Sequence, residues 1–132
     1  MKTSELLEAA LAARENAYAP YSGFKVGAAL VSSASKTVYS GCNVENASYG
    51  ATICAERGAV MKAISEEGGL SVKALLVVSD AAQAAVPCAV CLQVLSEFCS
   101  TETPVYVANL SGIVHTYTFG ELLPVPFNSI PE

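Results

Sequence analysis

The chain has 132 residues, 52% hydrophobic and only 14% charged, where an ordinary soluble domain carries about 25% charged residues. That length is read as one domain over residues 1–132, and the low charge points to surface hidden against other subunits. Seven Lys and Arg against twelve Asp and Glu give −5, which excludes the basic stripe that nucleic acid polymers require. No apolar run nears the ~20 residues of a membrane span, and Met1–Glu5 opens an acidic amphipathic segment unlike a secretory leader. A cytoplasmic protein is expected.

Residues 4–16 set Leu6, Leu7, Ala10, Leu11 and Ala13 on one helical face, with Ser4 as candidate N-cap and Pro20 beyond the end. Val26–Val31 and Thr37–Cys42 read as two strands joined by a turn of Ser and Ala. A second helix is expected over Cys54–Glu66, stopped by Gly68-Gly69. Val72–Ser79 is a nearly unbroken apolar run, as in a central strand buried on both faces. A third helix is expected over Cys88–Cys99, with Pro87 at its start, where a missing N–H costs nothing. Pro104–Asn109 and Val114–Phe119 read as strands, and Phe119–Leu123 as a short last helix. This order predicts an α/β fold of three layers: a mixed five-stranded sheet with helices on both faces and at least one parallel βαβ unit. Ligands of such sheets sit near strand ends and helix N-termini.

Five cysteines, Cys42, Cys54, Cys88, Cys91 and Cys99, are an odd number. In a chain without an export signal they read as reduced core thiols or metal ligands. The strongest pattern is Cys54-Ala55-Glu56 followed by Pro87-Cys88-Ala89-Val90-Cys91. Two cysteines three apart at a helix start can aim both sulfurs at one point, and the unpaired N–H groups there favour thiolates. Cys54 heads another helix, so three thiolates can converge. Three protein ligands leave zinc one open position, the mark of a catalytic site. Glu56 lies two residues past a ligand, placed to reach that position without binding the metal. Three Cys ligands, a non-ligand Glu and a Pro-Cys-x-x-Cys segment characterise the zinc deaminases.

From Pro20 to Phe127 the chain resembles the nucleoside cytidine deaminases in their short-subunit form. The resemblance rests on Pro20-Tyr21-Ser22-Gly23-Phe24-Lys25-Val26-Gly27-Ala28-Ala29, Gly41-Cys42-Asn43-Val44-Glu45-Asn46-Ala47, Cys54-Ala55-Glu56-Arg57, Pro87-Cys88-Ala89-Val90-Cys91, Gln93-Val94 and Leu122-Leu123-Pro124, in that order. It implies a cytidine deaminase-like fold and one zinc per subunit held by Cys54, Cys88 and Cys91. It implies hydrolysis of cytidine and 2'-deoxycytidine to uridine and 2'-deoxyuridine with release of ammonia, in pyrimidine salvage. Glu56 would shuttle protons, which needs a carboxyl raised by roughly 3 pH units, about 4 kcal/mol, from its usual ~4.3. Asn43 and Glu45 would hold ribose hydroxyls, and Phe24 would lie along base and sugar. Backbone groups around Ala55 would read the pyrimidine edge, and Phe127 would stack on the base from a neighbouring subunit. Arg57 would offset the negative charge of three thiolates. The implied assembly is a homotetramer with active sites near subunit interfaces. The family's usual Pro-Cys-Gly-Ala-Cys-Arg-Gln is here changed at Ala89, Val90 and Leu92, which removes a cation beside the site. Gly58 stands where the family has a side chain, and close backbone packing is the expected reason.

Other readings stay open at this level. Cys88 and Cys91 also fit a redox Cys-x-x-Cys, though that leaves Cys54-Ala55-Glu56 unexplained. A structural zinc domain would recruit a fourth ligand from Cys42, Cys99 or His115. Otherwise Cys42 and Cys99 read as core thiols, and His115 faces solvent or an interface from an alternating strand. Deaminases of a nucleoside antibiotic or of a polynucleotide base are further rivals, the latter opposed by the acidic balance. Tyr21 and Tyr49 are candidates for subunit contacts.

Overall fold

Five runs rich in apolar residues, continuous in the centre and broken by polar residues toward the edges, assemble into one mixed sheet. The computed structural model describes residues 2–128 and 130. The strands β1 (Val26–Ser32), β2 (Val38–Cys42), β3 (Val72–Ser79), β4 (Pro104–Asn109) and β5 (Gly112–Thr118) lie in the order β2-β1-β3-β4-β5. β3 is therefore central, as its apolar run requires. It pairs antiparallel with β1 and parallel with β4. The helices are α1 (Thr3–Arg14), α2 (Ala55–Glu67), α3 (Ala89–Leu95) and α4 (Phe119–Leu122).

The two-residue period of a strand sorts side chains to opposite faces. Ala28, Leu30, Leu75, Val77, Val105 and Val107 pack on one face with Ala59, Val60 and Ala63 of α2 and Leu92 and Leu95 of α3. Ala29, Val31, Leu76, Val78 and Ala108 pack on the other face against Leu6 and Ala10 of α1. Helices thus cover both faces, with α2 and α3 side by side on one of them. The parallel β3–β4 pair with α3 between them is the expected βαβ unit.

Element ends depart from the sequence-based expectation where local bonds decide them. Ser4 lies inside α1, and Lys2 holds the N-cap position with no side-chain hydrogen bond. Cys54 and Cys88 stand at the N-cap positions, just before α2 and α3. α3 stops at Leu95, short of Cys99. There the N–H groups of Glu97 and Phe98 turn to the carbonyls of Val94 and Leu95, and the Phe98 carbonyl accepts from Val72 N at the head of β3. α2 ends at Gly68, whose φ of 79° is left-handed, a conformation glycine adopts without strain. Glu67 ties that end to the β1–β2 hairpin, accepting from Ser32 Oγ at 2.7 Å, Ser35 Oγ at 2.6 Å and Tyr39 Oη at 2.7 Å. No helix among the described residues is long and apolar enough to cross a membrane.

Candidate active site

The segment after β2 turns back on itself. Val44 and Ile53 exchange backbone hydrogen bonds of 2.9 Å each, and Glu45 N donates to the Tyr18 carbonyl at 2.8 Å. These bonds bring Asn43 and Glu45 beside the N-terminus of α2. The Asn43 amide is buried and shared between two backbone groups: Oδ1 accepts from Val26 N at 2.9 Å, and Nδ2 donates to the Phe24 carbonyl at 2.8 Å. Glu45 Oε1 accepts from Tyr21 N at 2.9 Å and Ser22 N at 3.1 Å. Phe24, Asn43, Glu45, Cys54, Glu56 and Cys88 line one cleft of about 280 Å³, with Ala55 in its wall.

The three sulfurs of Cys54, Cys88 and Cys91 lie within 4.8 Å of one another. Sulfurs around a tetrahedral zinc at about 2.3 Å stand about 3.8 Å apart, so this spacing fits the ion, and thiolates are donors that suit it. The fold causes the convergence. α2 and α3 lie on the same sheet face, and each begins at a cysteine. Cys91 sits one turn beyond Cys88 and is fully buried. Among the described residues this is the only cluster of three or more potential metal ligands. Cys42, Cys99 and His115 take no part in it. Cys99 packs against the core, where burial pushes its thiol up to about 12. His115 is exposed on the edge strand β5, its ring 5.8 Å from that of Tyr117.

Arg57, three residues past Cys54, reaches back along α2. Its Nη2 stands 3.5 Å from Cys54 Sγ and donates to the Thr52 carbonyl at 3.2 Å, while Nε is buried. Hydrogen bonding with Cys91, then the adjacent guanidinium, lowers the Cys54 thiol to about 5. The same bond with Cys54 and burial push Cys91 up. Glu56 is only 4% exposed. Burial, then the Cys54 sulfur, raises its carboxyl to about 7, so near neutrality it can take a proton and give it back.

Phe127 does not line this cleft. It is 62% exposed, its backbone carbonyl accepting from Gln93 Nε2 at 2.6 Å. Tyr21 and Tyr49 are exposed and meet edge to face at 6.3 Å, in the wall of an adjoining cavity of about 430 Å³. The expected close packing at Gly58 is corrected. A Cβ there would sit 3.6 Å from the Cys42 carbonyl, an ordinary contact. On the β2 side of this contact Gly41 is tight, its Cβ standing 2.5 Å from Ala59 N and 2.6 Å from the Ala55 carbonyl, and on the other face Gly27 of β1 is tighter still, against the Ala10 carbonyl of α1. Leu92, where the family has a cation, is buried in the core. Sequence reasoning missed Ser22 and Thr52, which line both cavities. The signal was their adjacency to Phe24 and Cys54, but neither residue type points to a role by itself.

The profile of the family described as "Cytidine and deoxycytidylate deaminase zinc-binding region" matches residues 1–108. The chain is 47% identical over 128 residues to the cytidine deaminase of Sporosarcina psychrophila, covering 97% of this chain and 93% of that protein. It is 47% identical over 129 residues to that of Halalkalibacterium halodurans, covering 98% and 96%. The crystal structure of cytidine deaminase from Burkholderia pseudomallei is similar with a TM-score of 0.88 at 45% identity, covering 96% of this chain and 100% of that one.

Proposed function

The chain belongs to the cytidine and deoxycytidylate deaminase zinc-binding family, and from that premise we propose that it hydrolyses cytidine and 2'-deoxycytidine to the uridine nucleosides and ammonia. The observation that carries this reading is the meeting of three sulfurs, two of them (Cys54 and Cys88) in the lining of the same cleft as the buried Glu56. Cys54, Cys88 and Cys91 would hold one zinc. When bound, zinc supplies hydroxide at neutral pH by lowering the pKa of water toward about 7.

The chain's own residues do the rest. Glu56 accepts the proton that water loses and delivers it to the ring nitrogen beside carbon 4. The oxygen bonds to carbon 4, and Glu56 then carries the proton of that new hydroxyl to the amino group, so that the carbon–nitrogen bond breaks, ammonia leaves and the hydroxyl becomes the carbonyl of the uridine product. The raised pKa of Glu56 supports both directions of transfer. Arg57 sets a positive charge against Cys54 and so tempers three thiolates. Phe24 offers an apolar face to base and sugar. Asn43 keeps one N–H, and Glu45 keeps acceptor capacity, for sugar hydroxyls. The backbone at Ala55 borders the pyrimidine edge.

Phe127 would act in trans, on the base bound by a neighbouring subunit. Its exposure away from its own cleft supports this, as do the exposed Tyr21 and Tyr49, with a homotetramer as the assembly. Pyrimidine salvage in the cytoplasm is the setting that such a reaction fits. The test is cytidine added to purified protein, followed by ammonia release and ultraviolet change, with metal analysis on the same sample. Folded, zinc-loaded protein that leaves cytidine untouched refutes the assignment. The same assay with 2'-deoxycytidine and light scattering test the finer parts.

A further inference from the structure

Glu45 is the one carboxylate in the cleft wall besides Glu56, and its orientation is built by a loop 23 residues earlier in the chain. Backbone N–H groups of Tyr21 and Ser22, at 2.9 and 3.1 Å, converge on Oε1. They anchor that oxygen but leave the carboxylate plane free to swing about it. The Ser22 hydroxyl removes this freedom by donating to Oε2. The same Oγ accepts from Phe24 N at 2.9 Å, and the Phe24 carbonyl accepts from Asn43 Nδ2 at 2.8 Å. One hydroxyl therefore links Glu45 to the backbone of Phe24 and, through it, to Asn43.

A carboxylate offers about four lone-pair positions. Oε1 has taken two donors and Oε2 one, so the position left for a ligand is on Oε2, the oxygen that Ser22 orients. A glutamate has three rotatable bonds, and ordering them at the moment of binding opposes affinity. We propose that Ser22 is a positioning residue for substrate binding, holding the Glu45 carboxylate in the orientation from which it meets the sugar of the nucleoside. This rests on the deaminase reading of the cleft. The lowered pKa of Glu45 has Ser22 as its first cause and is consistent with the contact.

The test compares cytidine kinetics of the wild type, Ser22→Ala, Ser22→Thr, Glu45→Ala and the double variant Ser22→Ala/Glu45→Ala. Ser22→Ala should raise KM about three- to tenfold with kcat within about twofold, the net size of one ordinary hydrogen bond, since the contact is reached by solvent. Ser22→Thr, which keeps the hydroxyl, should restore KM. The double variant should match Glu45→Ala alone, since Ser22 acts through that carboxylate. A wild-type KM for Ser22→Ala overturns the proposal. So does an equal rise in the Glu45→Ala background, which would mean that Ser22 shapes the loop or touches the nucleoside itself. Ser22→Cys, of similar size but a weak donor, should repeat the Ser22→Ala result. The carbon-13 titration of the Glu45 carboxyl reads the contact without turnover. Ser22→Ala should shift its midpoint upward, and an unchanged midpoint overturns the proposal even if the wild type proves inactive on cytidine, an outcome that would sink only the deaminase reading.

Discussion

Replacing Gly41 with Ala tests how the sheet positions the catalytic helix. A Cβ at Gly41 would stand 2.5 Å from Ala59 N, 2.6 Å from the Ala55 carbonyl and 2.9 Å from the Gly58 carbonyl carbon. Ordinary contact begins near 3.4 Å, and all three neighbours are backbone of α2. No side chain can rotate away, so β2 and α2 must separate by nearly 1 Å, an overpacking that typically costs about 1–3 kcal/mol. The strained stretch is the first turn and a half of α2, which carries Ala55, Glu56 and Arg57 and begins at Cys54. Misplacement of about 1 Å at a reacting group costs up to about 100-fold in rate. Gly41→Ala should therefore lower Tm by roughly 4–10 °C and reduce kcat/KM for cytidine by about ten- to a hundredfold. Gly58→Ala, across the same contact, is the control. Its Cβ meets only ordinary contacts, and alanine gains up to about 1 kcal/mol of helix propensity over glycine. That variant should be as stable as wild type or more so, with unchanged kinetics. Thermal unfolding and steady-state deamination of both proteins decide the matter. A wild-type Gly41→Ala, or a Gly58→Ala more damaged than Gly41→Ala, refutes the reasoning.

Glu56→Gln should retain zinc by metal analysis and lose about 10²- to 10⁴-fold in kcat, the span of general acid–base catalysis; a rate within tenfold of wild type would remove the proton-carrying role. Stripping zinc with a chelator should abolish deamination and zinc alone should restore it, whereas full activity in metal-free protein would contradict the cysteine site. Glu67 has its carboxyl pKa lowered, first by Ser35 and then by Tyr39 and Ser32. Its contribution to stability is thus present above the usual carboxylate range and fades as pH falls through the lowered folded value. Denaturant unfolding across pH 3–7 should show Glu67→Gln less stable than wild type near neutrality, with the difference shrinking in acid; a constant difference would mean that the carboxylate's charge is not what binds the hairpin to α2.

Much of the architecture is legible in short-range pattern, because periodicity is a local property. The apolar run Val72–Ser79 marked the central strand, and β3 occupies that place. The pair Cys88 and Cys91 showed its common aim directly, since three residues make nearly one helical turn. Family resemblance then supplied roles for Phe24, Asn43 and Glu45 that their chemistry alone leaves indistinct from turn residues. What tertiary structure decided is every relation across long separations. Cys54 meets Cys88 and Cys91 because β1 inserts between β2 and β3, so that α2 and α3 come to lie on one face. The end of α3 at Leu95 falls where the N–H groups of Glu97 and Phe98 switch to carbonyls three residues back, and the Phe98 carbonyl beyond it finds its partner on a distant strand, at Val72 N. Between β2 and α2 the tight glycine proved to be Gly41, on the strand, and not Gly58, on the helix, because the distance between two backbones is fixed by sheet and helix together. Ser22 gained its partner in the same way. A serine carries no positional signal, and only the folded loops show which carboxylate its hydroxyl meets.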